Sequence, residues 1–233
     1  MRLLRCCVAE MIGTFFLTFV GAGAIVMTAI PESGAALITV ALAHGLALSM
    51  AVYATGHISG GHINPAVTVA MLVRGKIKPP DAAGYVVAQL VGAVLAALCV
   101  NGCFPAEPVA AVKIGATLGS LSAANPGATL VIEAILTFLL VTTIFAVAVD
   151  SRGAKNIYGF AIGLTVTFDI LCAGPITGAS MNPARSFGPA LVDGSHWGPQ
   201  WIYWVGPIIG ACVAAVVYDL VLIPRETKES RGS

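Results

Sequence analysis

Six apolar segments, each close to the length that crosses a lipid bilayer as a helix, dominate this sequence. A transmembrane helix needs about 20 mainly apolar residues. Only 10% of the 233 residues are charged, whereas about a quarter is typical of soluble domains. The sequence therefore predicts an all-α integral membrane protein. The six segments lie at about 6–30, 34–54, 82–102, 127–149, 157–174 and 200–223.

The rest of the composition argues against several other classes of protein. The formal net charge is +1, which gives no indication of a nucleic-acid partner. The six cysteines lack the spacing of metal ligands or of a disulfide framework. Because no arrangement of side chains is typical of catalysis, we predict neither an enzyme nor a bound cofactor or metal.

The basic residues indicate how the chain is oriented in the membrane. Ten of the twelve Lys and Arg residues lie on one side of a six-span protein, and the positive-inside rule identifies that side as the cytoplasm. The first apolar run is too long for a signal peptide and contains Glu10, so we interpret it as the first span. We predict a multi-pass protein of the cell membrane with both termini in the cytoplasm. The ten residues are Arg2, Arg5, Arg74, Lys76, Lys78, Arg152, Lys155, Arg225, Lys228 and Arg231.

The two halves of the chain resemble each other. The segment Cys7–Leu17 is similar to Leu130–Leu140, and further matches follow in the same order along both halves. Each half contains three spans, and an odd number of spans inserts the second copy upside down, as an inverted-topology repeat. We predict a single transmembrane domain over residues 1–233. Its repeats cover about 6–102 and about 127–223, joined by an extracellular loop at about 103–126.

Two shorter apolar stretches, at about 64–74 and 182–192, each begin with the tripeptide Asn-Pro-Ala. Asn is a good N-cap residue, and Pro fits the first helical turn, where no N–H is needed. Each tripeptide therefore predicts the start of a helix. Both stretches are too short to span, so we predict re-entrant half-helices that enter from opposite faces and meet near the midplane. The tripeptides are Asn64-Pro65-Ala66 and Asn182-Pro183-Ala184.

Two half-helices that meet by their N-termini place a partial charge of about +0.5 each at the centre of the membrane. The Asn amides add hydrogen-bond donors there, and the loops before them add carbonyl acceptors. Irregular backbone at this depth is tolerated where it is buried in protein or lines a water-filled cavity. The sequence therefore predicts a pore for small neutral solutes that excludes cations and protons. The loop carbonyls expected to line it belong to Gly60, Gly61, His62, Gly178, Ala179 and Ser180.

The contexts of the two tripeptides, GHISGGHINPAVT and ITGASMNPARSFGPA, together with Glu10 and Glu133, resemble those of the aquaporins, or major intrinsic proteins. The resemblance covers nearly the whole chain. It implies six tilted spans, two re-entrant half-helices, a homotetramer and one pore per subunit. It also implies a narrow selectivity filter on the extracellular side of the central asparagines, formed by His44, Ile170, Ala179 and Arg185.

The combination of His, Ile, Ala and Arg in the filter resembles that of some plant tonoplast-type aquaporins. Because Ile170 makes one wall apolar, ammonia and hydrogen peroxide join water as candidate solutes. Glycerol facilitators typically have Asp directly after the filter arginine, whereas this chain has Ser186. Ala190 and the pair Tyr203-Trp204 also resemble the water-channel pattern. We therefore expect water as the main solute, with glycerol a less favoured candidate.

Other interpretations of the same features stay open at this point. Inverted repeats and broken helices also occur in alternating-access secondary transporters. An aquaporin fold with mainly non-water flux, or an adhesion protein with a closed pore, is a further alternative, and an intramembrane enzyme is the weakest. We expect Glu10 and Glu133 to be structural acids that accept N–H groups of the re-entrant loops. Asp169 is expected either to hydrogen-bond within the bundle or to pair with Arg185.

Overall fold

The computed structural model describes residues 1–224, which form ten α-helices. Three of the basic residues used to predict the orientation, Arg225, Lys228 and Arg231, lie outside the described residues. In chain order the helices are α1 (Arg2–Thr28), α2 (Leu37–Ser59), α3 (Pro65–Val73), α4 (Pro79–Cys103), α5 (Ala106–Ala111), α6 (Leu121–Ala124), α7 (Pro126–Ile144), α8 (Tyr158–Thr177), α9 (Pro183–Asp193) and α10 (Ile202–Val217).

Six helices are long enough and apolar enough to cross a membrane, which confirms the predicted number of spans. They are α1, α2, α4, α7, α8 and α10. Two of them continue in π-helical turns, α7 through Phe145–Val149 and α10 through Tyr218–Leu222. The half-helices α3 and α9 have 9 and 11 residues, too few to span.

The second and fifth spans are longer than the sequence predicts. Helix α2 continues beyond residue 54 to Ser59, and α8 continues beyond 174 to Thr177 although it contains Pro175. Both end at a glycine with a left-handed backbone, Gly60 at φ 93° and Gly178 at φ 91°. Glycine adopts this conformation without steric cost, so the two helices end at the same point of each motif.

Small residues bring the spans into close contact in equivalent pairs. Gly92 of α4 packs against the backbone of α1 at Met11, and Gly210 of α10 packs against the backbone of α7 at Ala134. A third close contact, between Gly45 and Gly163, joins α2 to α8. Small residues at such crossings let helix backbones approach closely in membranes. The α1–α4 and α7–α10 pairs are the two copies of one arrangement, joined through α2 and α8.

The segment between α4 and α7, expected to be a plain loop, is folded onto the bundle. It contains α5, α6 and a 3-10 turn at Lys113–Gly115. Val109 and Ile114 are buried in a cluster with Ala22 and Val26 of α1. Its backbone also bonds α8, because the N–H of Ser120 donates to the carbonyl of Pro175 over 3.1 Å. This segment therefore covers one end of the bundle, where it reaches the site described next.

Candidate functional site

The two Asn-Pro-Ala tripeptides begin α3 and α9 and are linked to each other. The Asn64 side chain accepts the Ala66 N–H (2.8 Å), and the Asn182 side chain accepts the Ala184 N–H (3.0 Å). The remaining donors cross between the repeats. Asn64 Nδ2 donates to the Met181 carbonyl over 2.7 Å, and Asn182 Nδ2 donates to the Ile63 carbonyl over 2.9 Å. Each amide has two N–H groups, so one on each Asn remains for a solute.

Buried glutamates hold the backbone just before each asparagine. Glu10 of α1 accepts the N–H groups of His62 (2.9 Å) and Ile63 (2.5 Å). Glu133 of α7 accepts those of Ser180 (3.0 Å) and Met181 (2.9 Å). Both glutamates are fully buried. These bonds tie the N–H groups of both loops to the acids, and the carbonyls of the loops remain the predicted lining of the pore.

The same loops contain left-handed residues that are not glycine. Ile63, Ala179 and Met181 have φ values of 56°, 44° and 55°. A side chain at positive φ is strained, most of all a β-branched one, and such strain persists only where the surrounding structure fixes it. Hydrogen bonds to the glutamates and asparagines fix it at Ile63 and Met181, and at Ala179 the N–H donates to Thr177 Oγ1 over 3.0 Å. The strained residues lie in the two loops that the sequence predicts to line the pore.

A cavity of about 60 Å³ lies where the two half-helices meet. Its lining includes Asn64, Asn182 and five of the six residues expected to supply loop carbonyls, Gly178 being the exception. The four residues predicted for the filter also line it. His44 and Ile170 line a second cavity as well, a vestibule of about 260 Å³ under the α4–α7 segment. These two residues therefore lie at the boundary between the cavity and the vestibule.

Arg185 is fixed at this boundary by four hydrogen bonds. Its Nη1 donates to the Gly115 carbonyl (2.9 Å) and to Thr117 Oγ1 (2.7 Å). Its Nε and Nη2 lie 3.3 and 3.1 Å from His44 Nε2. The side chain of Arg185 is only 4% exposed. A guanidinium donates in a fixed fork and has no acceptor, so these partners define its orientation.

The contacts of His44 determine which of its nitrogens carries the hydrogen. His44 Nδ1 is 2.8 Å from the Val40 carbonyl, and a carbonyl can only accept, so Nδ1 donates. Nε2 is then the acceptor for Arg185. The ring lies directly against Gly21 of α1, where any Cβ atom would collide with it. Gly21 therefore provides the space that lets His44 meet Arg185.

Sequence reasoning missed Gly21, Gly115 and Thr117. None of them lies in the duplicated motifs, and Thr117 comes from a segment expected to be only a connection. Thr117 is 1% exposed, and it also accepts a hydrogen bond from Ser186 Oγ over 3.0 Å. The only signal in the sequence for a special backbone conformation in this segment is the glycine at 115. In the structure it has φ 70° and packs against Ala22.

Asp169 of α8 fits neither expected arrangement. The donors of Arg185 are directed to His44, Gly115 and Thr117. Both carboxyl oxygens of Asp169 are buried and have no hydrogen-bond partner within residues 1–224. The side chain is 1% exposed and directly precedes Ile170. Over the same residues, no three His, Cys, Asp or Glu side chains are placed together to hold a metal ion.

Comparisons with known proteins agree with this geometry. The family model described as major intrinsic protein matches residues 1–218. The chain is 44% identical to the probable aquaporin TIP3-2 of Arabidopsis thaliana, over 95% of this chain and 85% of that protein. It is 42% identical to aquaporin NIP1-1 of Zea mays, over 92% of this chain and 73% of the relative.

The fold is also that of a solved structure of the same kind. The aquaglyceroporin of Plasmodium falciparum superposes with a TM-score of 0.84, covering 94% of this chain and 97% of that one, at 24% sequence identity. This likeness concerns the fold, and it confirms the predicted all-α architecture with six spans and two half-helices. The family model and the relatives show that the chain belongs to the major intrinsic protein family, the aquaporins.

Proposed function

We propose that the protein is a passive channel whose main solute is water. The observation that carries this proposal is the pair of linked asparagines at the centre of the cavity. Asn64 and Asn182 each donate one amide N–H to a carbonyl of the opposite repeat, and each has a second N–H available to donate to a solute. A small neutral molecule that accepts hydrogen bonds can therefore be held at the point where α3 and α9 begin.

We infer that the walls of the cavity differ in polarity, an arrangement that favours the passage of water molecules in single file. We place the loop carbonyls of residues 60–62, 179 and 180, all of which line the cavity, on one wall, where they can accept hydrogen bonds from the solute. We place the apolar lining residues, which include Leu48, Val166 and Ile170, on the opposite wall. A water molecule is thus hydrogen-bonded on one side only, which keeps its binding weak enough for it to leave, as conduction requires.

Charge at the centre explains the proposed exclusion of ions and protons. The N-termini of α3 and α9 point at the same place, and each carries a partial positive charge of about +0.5. Arg185 adds a full positive charge at the boundary with the vestibule. Cations and protonated water meet repulsion at two successive points, whereas neutral molecules do not.

We propose His44, Ile170, Ala179 and Arg185 as the selectivity filter. The polar half, His44 and Arg185, is joined by hydrogen bonds, so its width is fixed. Ile170 and Ala179 form the apolar half and are 3% and 4% exposed. This mixture favours water and leaves ammonia and hydrogen peroxide as further solutes, with glycerol less favoured because Ser186 follows the arginine.

We further propose a homotetramer with one pore per subunit and both termini in the cytoplasm, in the cell membrane. Apolar side chains on the outer faces of the bundle support contact with lipid and neighbouring subunits. Examples are Val8, Leu46, Val131 and Phe168, all more than 40% exposed. Chemical cross-linking in native membranes should give a ladder ending at four subunits, whereas a ladder ending at two would contradict this assembly.

A single proteoliposome preparation tests both the proposed channel activity and the proposed preference for water. Water, glycerol and ammonia permeabilities should be measured in the same proteoliposomes, with empty liposomes as the control. We expect water permeability to rise most, ammonia next and glycerol least. Solute flux that saturates and depends on an ion gradient would instead identify an alternating-access transporter, and permeabilities equal to those of empty liposomes would identify a closed pore.

A further inference from the structure

The cavity that starts at the proposed filter continues to the opposite end of the bundle. There it is lined by Ala148, in the π-helical turn that ends the fourth span, and by Tyr158, the first residue of α8. We propose that Tyr158 forms a second constriction of the pore at this end and limits the rate at which water passes. The inference rests on the proposed function, because it concerns the same pore.

Tyr158 differs from the residues around it. Among the described residues that line the cavity it is the only Phe, Tyr or Trp. Apart from His62, the larger side chains that we place along this half of the pore are aliphatic or methionine. They are Val52, Val67, Met71, Leu140, Ile144 and Ile162. One aromatic ring at the end of a cavity this narrow occupies space through which solute must pass.

The ring of Tyr158 is held in place by α2. It contacts the ring of Tyr53 edge-to-face, with centroids 5.2 Å apart and planes at 72°. Tyr53 is itself tied to the start of α8, because its hydroxyl donates to the Asn156 carbonyl (3.4 Å) and accepts the Phe160 N–H (3.3 Å). Aromatic pairs of this geometry contribute about 0.5–1.5 kcal/mol beyond buried area, so the ring is a fixed wall.

Glycine provides the space that this arrangement requires. A Cβ atom at Gly56 would lie 3.1 Å from the Tyr158 hydroxyl. Gly56 is also in contact with Gly61, whose carbonyl is one of those proposed to line the pore. The tyrosine thus reaches from α8 across to the turn that begins the re-entrant loop. Its hydroxyl forms no hydrogen bond with residues 1–224, which leaves it free to bond a passing water.

The alternative is that Tyr158 has only a structural role and fills the interface between α2 and α8. The two roles predict opposite effects of removing the ring. A packing residue loses stability and activity when it is truncated, whereas a constriction gains permeability. Tyr158→Phe separates the ring from the hydroxyl and should behave like the original protein if the ring is what narrows the pore.

The test is osmotic water permeability of proteoliposomes, normalised to the amount of folded channel measured by size-exclusion chromatography. Tyr158→Ala should raise permeability per channel by roughly twofold or more, since it removes one of two resistances in series. Tyr158→Trp should lower it. Phe160→Ala is the matched control, because Phe160 lies two residues further along α8 and is 45% exposed on the outer face; it should change nothing.

Loss of folded channel lowers permeability, so unfolding does not explain a gain measured at equal amounts of folded channel. Permeability of Tyr158→Ala equal to or below that of the original protein, at equal amounts of folded channel, would overturn the inference. An original protein that conducts no more water than empty liposomes would instead overturn the proposed function, so the two failures are distinguishable.

Discussion

Replacing Thr117 by valine removes one oxygen from the environment of Arg185 while conserving the shape of the side chain. Thr117 Oγ1 accepts from Arg185 Nη1 over 2.7 Å and from Ser186 Oγ over 3.0 Å. The side chain is 1% exposed, so water cannot replace the lost acceptor without a rearrangement. Arg185 keeps its bonds to Gly115 and His44, but it loses its shortest one.

The expected size of the effect follows from these two bonds. A hydrogen bond to a charged group contributes about 1.5–3 kcal/mol and a neutral one about 0.5–1.5 kcal/mol. Because Nη1 retains the Gly115 carbonyl, we expect a net loss of about 2 kcal/mol. For a chain of this size, each kcal/mol lowers Tm by about 2–4 °C. Thr117→Val should therefore unfold about 4–8 °C below the original protein.

Thermal unfolding of the purified channel in detergent measures this loss, and ion leakage of proteoliposomes measures the consequence for the pore. Leakage should rise because a less firmly held guanidinium leaves the boundary open part of the time. Thr18→Val is the matched control, since Thr18 is also fully buried and its hydroxyl has no partner among residues 1–224. Equal Tm and equal leakage for Thr117→Val and the original protein would refute the assigned role of Thr117.

Three further predictions concern single side chains. Arg185→Val should raise cation or proton conductance of proteoliposomes, because it removes the fixed positive charge; unchanged leakage would contradict the place assigned to Arg185. Asp169→Asn should raise Tm and leave water permeability unchanged, because an unpaired buried carboxylate is costly; a fall in Tm would show that the acid has a stabilising partner. Mercurials should not act at Ala179, which has no thiol, so any inhibition should be abolished by replacing an exposed cysteine such as Cys172, and inhibition that survives the loss of every cysteine would contradict this.

The sequence predicts the six spans and the two half-helices because these features are encoded locally. Apolar length sets the spans, and each Asn-Pro-Ala contains both an N-cap and a first-turn proline. Duplication adds a second constraint. A motif that occurs twice in an inverted repeat must meet its copy, which is why the partnership of Asn64 with Asn182 can be anticipated from one sequence.

The surroundings of Arg185 could not be predicted in this way. Thr117 lies 68 residues from Arg185 in the chain, and no periodicity or motif connects the two. Gly21 matters only because the His44 ring approaches it from another helix. The ends of α2 and α8 also lie beyond the predicted ones, because hydropathy falls before the helices stop, and the glycines at 60 and 178 end them instead. Such features depend on tertiary contacts that local sequence does not specify.

The measurement that tests the central claim most directly is the temperature dependence of osmotic water flux in proteoliposomes, followed by stopped-flow light scattering. A continuous pore through Asn64 and Asn182 predicts water permeability well above that of empty liposomes, with a low activation energy close to that of water diffusion. Permeability no greater than that of the lipid, or a high activation energy like that of the lipid itself, would contradict the assignment of this protein as a water channel.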